Sequence, residues 1–313
     1  RSCGLNRRIM DDEPTTAFAD VTEQDVRTAF EAQDYVAEDE IVTTVLLALR
    51  LGKPLLVEGA PGAGKTELAK VLASSLGDEL IRLQCYEGLT AEHALYEWNY
   101  TKQLLAVQSG DDPEASVFAE EYLLERPLLR ALRHDGDRPP VLLIDEIDRA
   151  DDEFEALLLE VLSDFQVSVP ELGTVSADQP PIVIVTSNRT RALSDALKRR
   201  CLYLHVEPPS IEKETAILRR KVPQLDGVVA TELCAMAARL REEPLRKPPG
   251  AAETIDWARA IATMRDDGDE PLARETVQNT LGCLLKEVED VERVDDDLLT
   301  ELLDTAEQAR ADA

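Results

Sequence analysis

The sequence predicts an α/β domain built on a parallel five-stranded sheet, followed by a smaller all-helical domain. Two observations predict this architecture. Short apolar runs alternate with helical segments as far as Pro209, which is typical of parallel strands buried on both faces. The runs are 54–59, 79–85, 140–148, 181–188 and 201–208. Beyond Pro209 only helical patterns follow, over 210–222, 229–242, 252–265, 275–292 and 295–311.

These patterns divide the chain into a short extension at 1–20, an α/β domain at 21–209 and a helical domain at 210–313. The basic stretch RSCGLNRRI precedes Met10, where acidic sequence begins, and we expect Met10 to be the natural start. Two insertions interrupt the α/β domain. Residues 92–108 concentrate aromatic side chains, and 164–180 alternate apolar and polar residues around a glycine, which predicts a β-hairpin.

The composition is strongly acidic. Among 313 residues, 34 are basic and 63 acidic, which gives a net charge of −29. Such a surface is typical of halophilic cytoplasmic proteins, where salt screens the self-repulsion, and it argues against general nucleic-acid binding. The five cysteines are scattered singly, which favours reduced thiols. No apolar run is as long as a membrane span, and we expect a cytoplasmic protein.

A glycine-rich segment joins the first predicted strand to a helix. It reads Gly59-Ala60-Pro61-Gly62-Ala63-Gly64-Lys65-Thr66 and fits the pattern G-x-x-x-x-G-K-[ST]. In this pattern, backbone N–H groups surround a phosphate at a helix N-terminus, the lysine reaches the β- and γ-phosphates, and the threonine hydroxyl binds Mg²⁺. A bare strand–helix turn without a ligand is the alternative. The sequence therefore predicts an ATP–Mg²⁺ site at residues 59–66, extended by Glu67.

Polar side chains end the next buried strands. Asp145 and Glu146 follow VLLI, at the edge of the sheet where open α/β folds bind ligands. We expect Asp145 to bind Mg²⁺ through water and Glu146 to polarise the attacking water, unless both acids only cap the following helix. Asn188 ends the strand after that, where a carboxamide can bond the γ-phosphate or the water; alternatively it simply terminates the strand.

Several cations and aromatic residues are further candidates. Arg200, or else Arg199, is a candidate arginine finger that acts on a neighbouring copy, although both arginines also suit an ordinary helix end. Arg259 in the helical domain is a candidate phosphate contact or a plain surface cation. Tyr35 and Val36 either flank the adenine or only pack.

The remaining polar residues carry simpler expectations. The three histidines show no metal-ligand spacing. Asp148 and Glu153 are interpreted as acids on a helix surface.

The order of these motifs resembles that of AAA+ ATPases, and within them the MoxR branch over about residues 21–265. The stretches QCYEG, RKPPG and ETIDWARA are similar to the CoxD-like subgroup, of haloarchaeal type here, which is linked to maturation of molybdenum enzymes. The resemblance implies Walker A at Gly59–Thr66, Walker B at Asp145 and Glu146, and sensor 1 at Asn188. It also implies a finger at Arg200, with Arg199 second. The chain departs from the usual pattern at Arg199-Arg200-Cys201 and in the absence of a Ser-Pro-Arg sensor 2.

The resemblance further implies an ATP-hydrolysing chaperone that remodels a client, and a metalloenzyme such as a molybdenum dehydrogenase is the expected client. It implies a hexameric ring of identical subunits and a partner with a von Willebrand factor A domain. Three alternatives stay open on the residues alone: a monomeric P-loop kinase, a nucleotide-gated binding module, and a nucleic-acid motor, which no basic stripe or aromatic base-stacking platform supports. ATPase activity that rises with protein concentration would favour the ring over the kinase. Measurable turnover of ATP would favour the ring over the binding module.

Overall fold

The computed structural model describes residues 17–109, 120–169, 173–265 and 271–312. The predicted start at Met10 and most of the predicted N-terminal extension lie outside these ranges.

The described residues contain nine strands. They are β1 Leu55–Gly59, β2 Leu80–Gln84, β3 Tyr96–Trp98, β4 Leu123–Glu125, β5 Val141–Asp145, β6 Gln166–Val169, β7 Gly173–Ser176, β8 Ile182–Ser187 and β9 Leu202–Val206.

The same described residues contain fourteen α-helices. They are α1 Glu23–Glu31, α2 Asp39–Leu51, α3 Lys65–Ser75, α4 Ala91–Ala94, α5 Tyr100–Ser109, α6 Pro127–Leu132, α7 Asp152–Asp164, α8 Asp195–Arg200, α9 Ile211–Lys221, α10 Gly227–Arg241, α11 Ala251–Met264, α12 Arg274–Leu284, α13 Val288–Arg293 and α14 Asp296–Ala311.

Five strands form the predicted parallel sheet, in the order β2-β5-β8-β1-β9. The five apolar runs of the sequence are these five strands, so this part of the prediction is confirmed. Strand β1 lies between β8 and β9, and the chain that leaves it must cross the sheet to reach β2. Because all five strands are parallel, their carboxyl ends meet at one edge, where open α/β sheets place their ligands.

The three central strands of the sheet, β5, β8 and β1, are buried on both faces, which explains why they are mostly apolar. The edge strands β2 and β9 each expose one face, at Arg82 and Tyr203, so the prediction of burial on both faces is wrong for these two. Alternate residues of β1 belong to different clusters: Leu55 and Val57 pack with α1, α2 and α3, while Leu56 packs with α6, α7 and α8. The same alternation holds along β5, where Leu142 and Leu143 face opposite sides. A strand between two helical layers has no solvent-facing positions, so its apolar residues run without a break.

A separate cluster of buried side chains forms the interior of the helical region after Pro209. Its members lie between Leu218 and Ala306, with Trp257 fully buried among them. Four of the five predicted helices agree with the observed ones to within about two residues. The predicted helix at 275–292 is wrong, because the chain leaves the helix at Leu285, which is buried in an extended conformation, and α13 then starts after Glu287.

The two insertions form small additional sheets. Strands β6 and β7 pair antiparallel, with Val167 opposite Val175, so the predicted hairpin is confirmed. Residues 92–108 contain most of α4, all of β3 and nearly all of α5. Strand β3 pairs with β4, with Trp98 opposite Leu123, a strand pair that the sequence patterns do not indicate.

Among the described residues, no helix is both long enough and apolar enough to cross a membrane.

Candidate functional site

The glycine-rich segment forms the tight connection between β1 and α3. Gly62 and Gly64 have φ angles of 78° and 91°, in the left-handed region that favours glycine. Gly59 has a different requirement, since a Cβ atom there would lie 2.2 Å from the carbonyl oxygen of Val206 on β9. The segment therefore needs its glycines partly for backbone conformation and partly for close contact with a neighbouring strand.

Lys65 begins α3 and is almost completely buried. Its Nζ donates to the carbonyl oxygens of Gly59 and Ala60, each at 2.8 Å. Burial lowers the pKa of Lys65, and nearby carboxylates, Asp148 first among them, oppose this effect. The ammonium group thus lies against the loop that is predicted to surround the phosphates.

Asp145 ends β5 and is also buried, at 3% exposure. Its Oδ1 accepts from the hydroxyl of Thr186 at 2.6 Å and from that of Thr66 at 3.2 Å, and its Oδ2 accepts from Arg82 at 2.5 Å. A carboxylate and a hydroxyl that converge in this way are the hard oxygen ligands that Mg²⁺ prefers. Thr66 and Asp145 therefore fit the predicted metal.

Glu146 follows Asp145 in a left-handed conformation, with φ at 57°. Such a conformation is uncommon for a residue other than glycine and concentrates at functional sites. The backbone N–H of Glu146 donates to the Thr186 hydroxyl at 2.9 Å. Its carboxylate accepts from the Gln84 amide at 3.0 Å and from Arg149 at 3.3 Å. These contacts hold the side chain at the carboxyl edge of the sheet.

Asp148 does not lie on a helix surface, so that interpretation is wrong. It is 4% exposed, because the turn after Glu146 directs its side chain inward. It accepts from the backbone N–H groups of Asn188 and Thr190, at 3.1 and 2.9 Å, and from the Thr190 hydroxyl at 2.6 Å. Burial alone would raise the pKa of Asp148, but the bonds from Thr190 and Asn188 outweigh burial and lower it. Glu153 is exposed, as expected.

A cavity of about 590 Å³ collects most of the predicted site residues. It is bordered by residues 61–67 of the glycine-rich segment and α3, by both acids at the end of β5, by Asn188, by Tyr35 and Val36, and by Arg259. Gly59 and Ala60 lie behind Lys65, as its acceptors. Tyr35 packs on Phe30, with ring centroids 5.2 Å apart, and burial raises the pKa of its phenol.

The helical region closes the other side of this cavity. Gly250, at the start of α11, lies so close to the glycine-rich segment that a Cβ on Gly62 would be 2.9 Å from its Cα. On α9, Lys221 pairs with Glu67 at 3.1 Å. Arg259 borders the cavity from α11, and it pairs with the exposed Asp256 at 3.2 Å.

Arg199 and Arg200 lie elsewhere. Both are exposed at the end of α8 and border a second cavity, of about 1070 Å³, at the edge of the sheet where β1 and β8 begin. Arg200 Nε donates to the Ser163 hydroxyl at 2.8 Å. The structure thus separates these two arginines from the other predicted site residues of the same chain.

Sequence reasoning missed four residues that contact the acid pair: Arg82, Gln84, Arg149 and Thr186. Thr186 holds both acids, since it donates to Asp145 and accepts from the backbone of Glu146. Arg82 and Gln84 alternate with apolar residues in the run LIRLQ, which indicates one polar face on an edge strand. That alternation is the signal that would have identified them.

Residues 54–201 match the family described as AAA domain (dynein-related subfamily). The chain is 29% identical over 255 residues to the uncharacterised protein YehL of Escherichia coli, covering 77% of this chain and 62% of YehL. It is 23% identical over 220 residues to the Holliday junction branch migration complex subunit RuvB of Thermotoga petrophila, covering 66% of this chain and 55% of that protein. The chain spans less than two thirds of the length of each of these relatives.

Among solved structures, the chain is similar to a candidate ATPase from Cytophaga hutchinsonii, with 16% identity and a TM-score of 0.47, over 92% of this chain and 94% of that one. A variant of RuvB from Thermotoga maritima has 17% identity and a TM-score of 0.47, over 91% of this chain and 75% of that one. Residues 54–201 are therefore similar to an AAA domain, and the chain folds as a five-stranded parallel α/β sheet followed by a helical region.

Proposed function

We propose that this chain is an ATPase that hydrolyses ATP to ADP and phosphate. One observation carries the proposal. The glycine-rich segment, the Thr66–Asp145 oxygen pair, Glu146 and Asn188 all border one cavity. These groups come from three neighbouring strand ends of the parallel sheet. Together they supply the parts that phosphoryl transfer to water requires, namely phosphate binding, a metal site and a group that orients the nucleophile.

The roles follow from position and chemistry. The backbone N–H groups of residues 62–66 bind the phosphates at the N-terminus of α3, and Lys65 adds positive charge there. Thr66 and Asp145 would hold Mg²⁺, which when bound neutralises charge on the phosphate oxygens. Glu146 accepts a hydrogen bond from the attacking water and orients it, and the Asn188 carboxamide binds the γ-phosphate or the same water.

The variant Glu146→Gln tests this function. It keeps the size of the side chain but removes the acceptor charge, so we expect ATP binding to persist and turnover to fall roughly 10²- to 10⁴-fold. Binding is measured with a fluorescent nucleotide and turnover by phosphate release, both at high KCl concentration. Glu153→Gln, an exposed acid on α7, is the matched control and should keep normal turnover. Normal turnover in Glu146→Gln would remove this residue from the mechanism.

We also propose a finer assignment, to the MoxR branch and its CoxD-like subgroup. In this proposal the chain is a cytoplasmic, halophilic chaperone that works as a hexameric ring with a von Willebrand factor A domain protein. Its client is a metalloenzyme, such as a molybdenum-containing dehydrogenase. The stretches QCYEG, RKPPG and ETIDWARA support the subgroup. The insertion supports a client contact, because α5 exposes Tyr100, Leu104 and Leu105 by 62–63% of their surface.

Isolation of clients tests this finer proposal. Glu146→Gln loaded with ATP should retain a client that wild type releases, because substrate-trapped motors dissociate slowly from their partners. The retained proteins are identified by mass spectrometry after affinity isolation in molar KCl. Retention of a molybdenum enzyme or of its assembly factors supports the assignment. If only unrelated proteins are retained, the assignment to the subgroup is contradicted, while the proposal of ATP hydrolysis is unaffected.

A further inference from the structure

Arg82 lies on β2, the edge strand beside β5, and contacts the acid that ends β5. Its Nη2 lies 2.5 Å from Asp145 Oδ2 and 2.5 Å from Gln84 Oε1. Gln84 pairs with Asp145 in register, and residues two apart on a strand share a face. The Arg82 side chain therefore extends along the strand toward the carboxyl edge and reaches the carboxylate that is proposed to bind Mg²⁺.

The carboxylate of Asp145 is shared between two sides of the site. On one side, Oδ1 accepts from the hydroxyls of Thr66 and Thr186. On the other side, Oδ2 accepts from the Arg82 guanidinium. A divalent cation beside Thr66 therefore shares one buried carboxylate with an arginine. Two cations on the same carboxylate repel each other, and water screens this repulsion poorly at a site where the carboxylate is 3% exposed.

We propose that Arg82 is an internal counter-cation of Asp145 that competes with Mg²⁺, and that it thereby sets the Mg²⁺ concentration at which nucleotide binds. The inference rests on the proposed binding of ATP and Mg²⁺ at this site. It has a second consequence. Without the divalent cation, Arg82 balances the charge of Asp145, so that the carboxylate does not repel the phosphates of an incoming nucleotide.

Arg82 also positions the neighbouring acid. Its Nη2 bonds to Gln84 Oε1, which turns the amide nitrogen of Gln84 toward Glu146, where Nε2 lies 3.0 Å from Oε2. One guanidinium thus contacts Asp145 directly and Glu146 through a single amide. Arg82 is a positioning residue in this scheme, since it acts on phosphate and water only through these acids.

Neutral variants of Arg82 should fold. The Arg82 side chain is 52% exposed, and without it the Asp145 carboxylate still accepts from the hydroxyls of Thr66 and Thr186. Arg130 provides a matched control, because it is 55% exposed and pairs with Glu79, which does not border the cavity. Replacing either arginine changes the net charge by the same amount, so only a local effect at Asp145 distinguishes the two.

The experiment measures binding of a fluorescent ADP analogue, which is not hydrolysed, while Mg²⁺ is titrated into the full chain. The variants are Arg82→Gln, Arg82→Met, Arg82→Lys and the control Arg130→Gln. We expect Arg82→Gln and Arg82→Met to reach half-maximal binding at about tenfold less Mg²⁺ than wild type, a coupling of ordinary size between two sites. In EDTA the same two variants should bind the analogue more weakly. Arg82→Lys keeps the charge and should stay close to wild type, as should Arg130→Gln.

The outcomes separate the inference from the function on which it rests. An unchanged or increased Mg²⁺ requirement in both neutral Arg82 variants overturns the inference alone. An equal shift in Arg130→Gln overturns it as well, since the effect would then come from net charge. If wild type binds no analogue at any Mg²⁺ concentration, the proposed function fails and the inference fails with it. Melting curves recorded without nucleotide check that each variant is folded.

Discussion

Asp148 is the residue for which the structure differs most from the interpretation of the sequence, because its side chain is buried and not on a helix surface. Its carboxylate collects three hydrogen bonds from the turn that carries Asn188 and Thr190. It therefore connects the turn after β5 to the turn after β8, beneath the candidate catalytic residues. A buried carboxylate that accepts several N–H and O–H bonds is stabilised in its ionised form, which explains why the pKa of Asp148 is lowered despite burial.

We expect Asp148→Asn to lower the free energy of unfolding by about 1–3 kcal/mol at neutral pH, since a carboxamide nitrogen then faces N–H donors. The pKa of Asp148 is lower in the folded state, so its stabilising effect is complete above the unfolded value of about 3.9. It is lost as the pH falls through the lowered folded value. The difference between wild type and Asp148→Asn should therefore shrink below about pH 4.

Urea unfolding of both proteins at a series of pH values provides the measurement. Glu153→Gln, an exposed acid, serves as the control and should change stability by less than about 0.5 kcal/mol. A constant difference between wild type and Asp148→Asn down to the lowest pH would show that the ionised carboxylate is not what stabilises the turn.

At the scale of elements, the contact between the glycine-rich segment and α11 is unusually close. Gly62 and Gly250 touch backbone to backbone, and a Cβ on Gly250 would lie 2.9 Å from the Cα of Gly62. The loop before α11 is held from behind, because Arg241 donates to the Pro249 carbonyl and Asp290 accepts from the backbone of Arg246. These hydrogen bonds within the helical region hold the loop before α11 in place, and Gly250 in that loop contacts the glycine-rich segment.

We expect Gly250→Ala to weaken nucleotide binding and to lower the free energy of unfolding by about 1–3 kcal/mol, because the added methyl group overpacks this contact. Gly282→Ala is the matched control. Gly282 is exposed within α12 and a Cβ there meets nothing within 4 Å, so this change should stabilise the protein by about 0.5–1 kcal/mol. Nucleotide titration and urea unfolding of both variants measure the two effects. Unaltered binding in Gly250→Ala would show that the loop moves aside at no cost.

At the scale of the whole molecule, the position of Arg200 bears on how the proposed ATPase assembles. This arginine is exposed and does not border the cavity that holds the candidate site residues of its own chain. A finger that acts on a neighbouring copy needs this arrangement, because its own site lies at the other edge of the sheet. The ring itself stays a proposal, as does the domain boundary at Pro209.

Mixing two inactive variants tests action between copies. Arg200→Ala should bind nucleotide normally and lose hydrolysis, and Glu146→Gln should behave in the same way. In an equimolar mixture about a quarter of the sites combine an intact Glu146 with an intact Arg200 from the next copy, if subunits assemble at random. Phosphate release should then recover to about that fraction of wild type. Arg130→Ala should stay active alone, and a mixture without activity would contradict catalysis between copies.

The net charge of −29 affects the stability of the whole molecule. Self-repulsion among these charges opposes the compact state, and salt screens it over a Debye length that shrinks to about 3 Å at 1 M. We expect the urea midpoint of unfolding to rise steeply with KCl up to about 1 M at neutral pH. The rise should be much smaller near pH 4, where many carboxylates are protonated. Equal stability in dilute and molar KCl would contradict a halophilic protein.

The sequence by itself determined the parts that depend on local pattern. The glycine-rich segment predicts a tight loop between a strand and a helix, since its glycines meet backbone requirements that few other residues tolerate. Five apolar runs predict the five strands of the parallel sheet, and the hairpin at 164–180 follows from the alternation of apolar and polar residues. The positions of Asp145, Glu146 and Asn188 at strand ends are visible for the same reason.

Only the tertiary structure decided which of these ends meet and what surrounds them. Arg82 and Asp145 are 63 positions apart, and their contact depends on the register of β2 against β5. The burial of Asp148 depends on the turn after β8, and the contact of Gly62 with Gly250 depends on how the helical region packs on the core. A local pattern cannot specify such contacts, because strand order and packing arise from the summed burial of the whole chain.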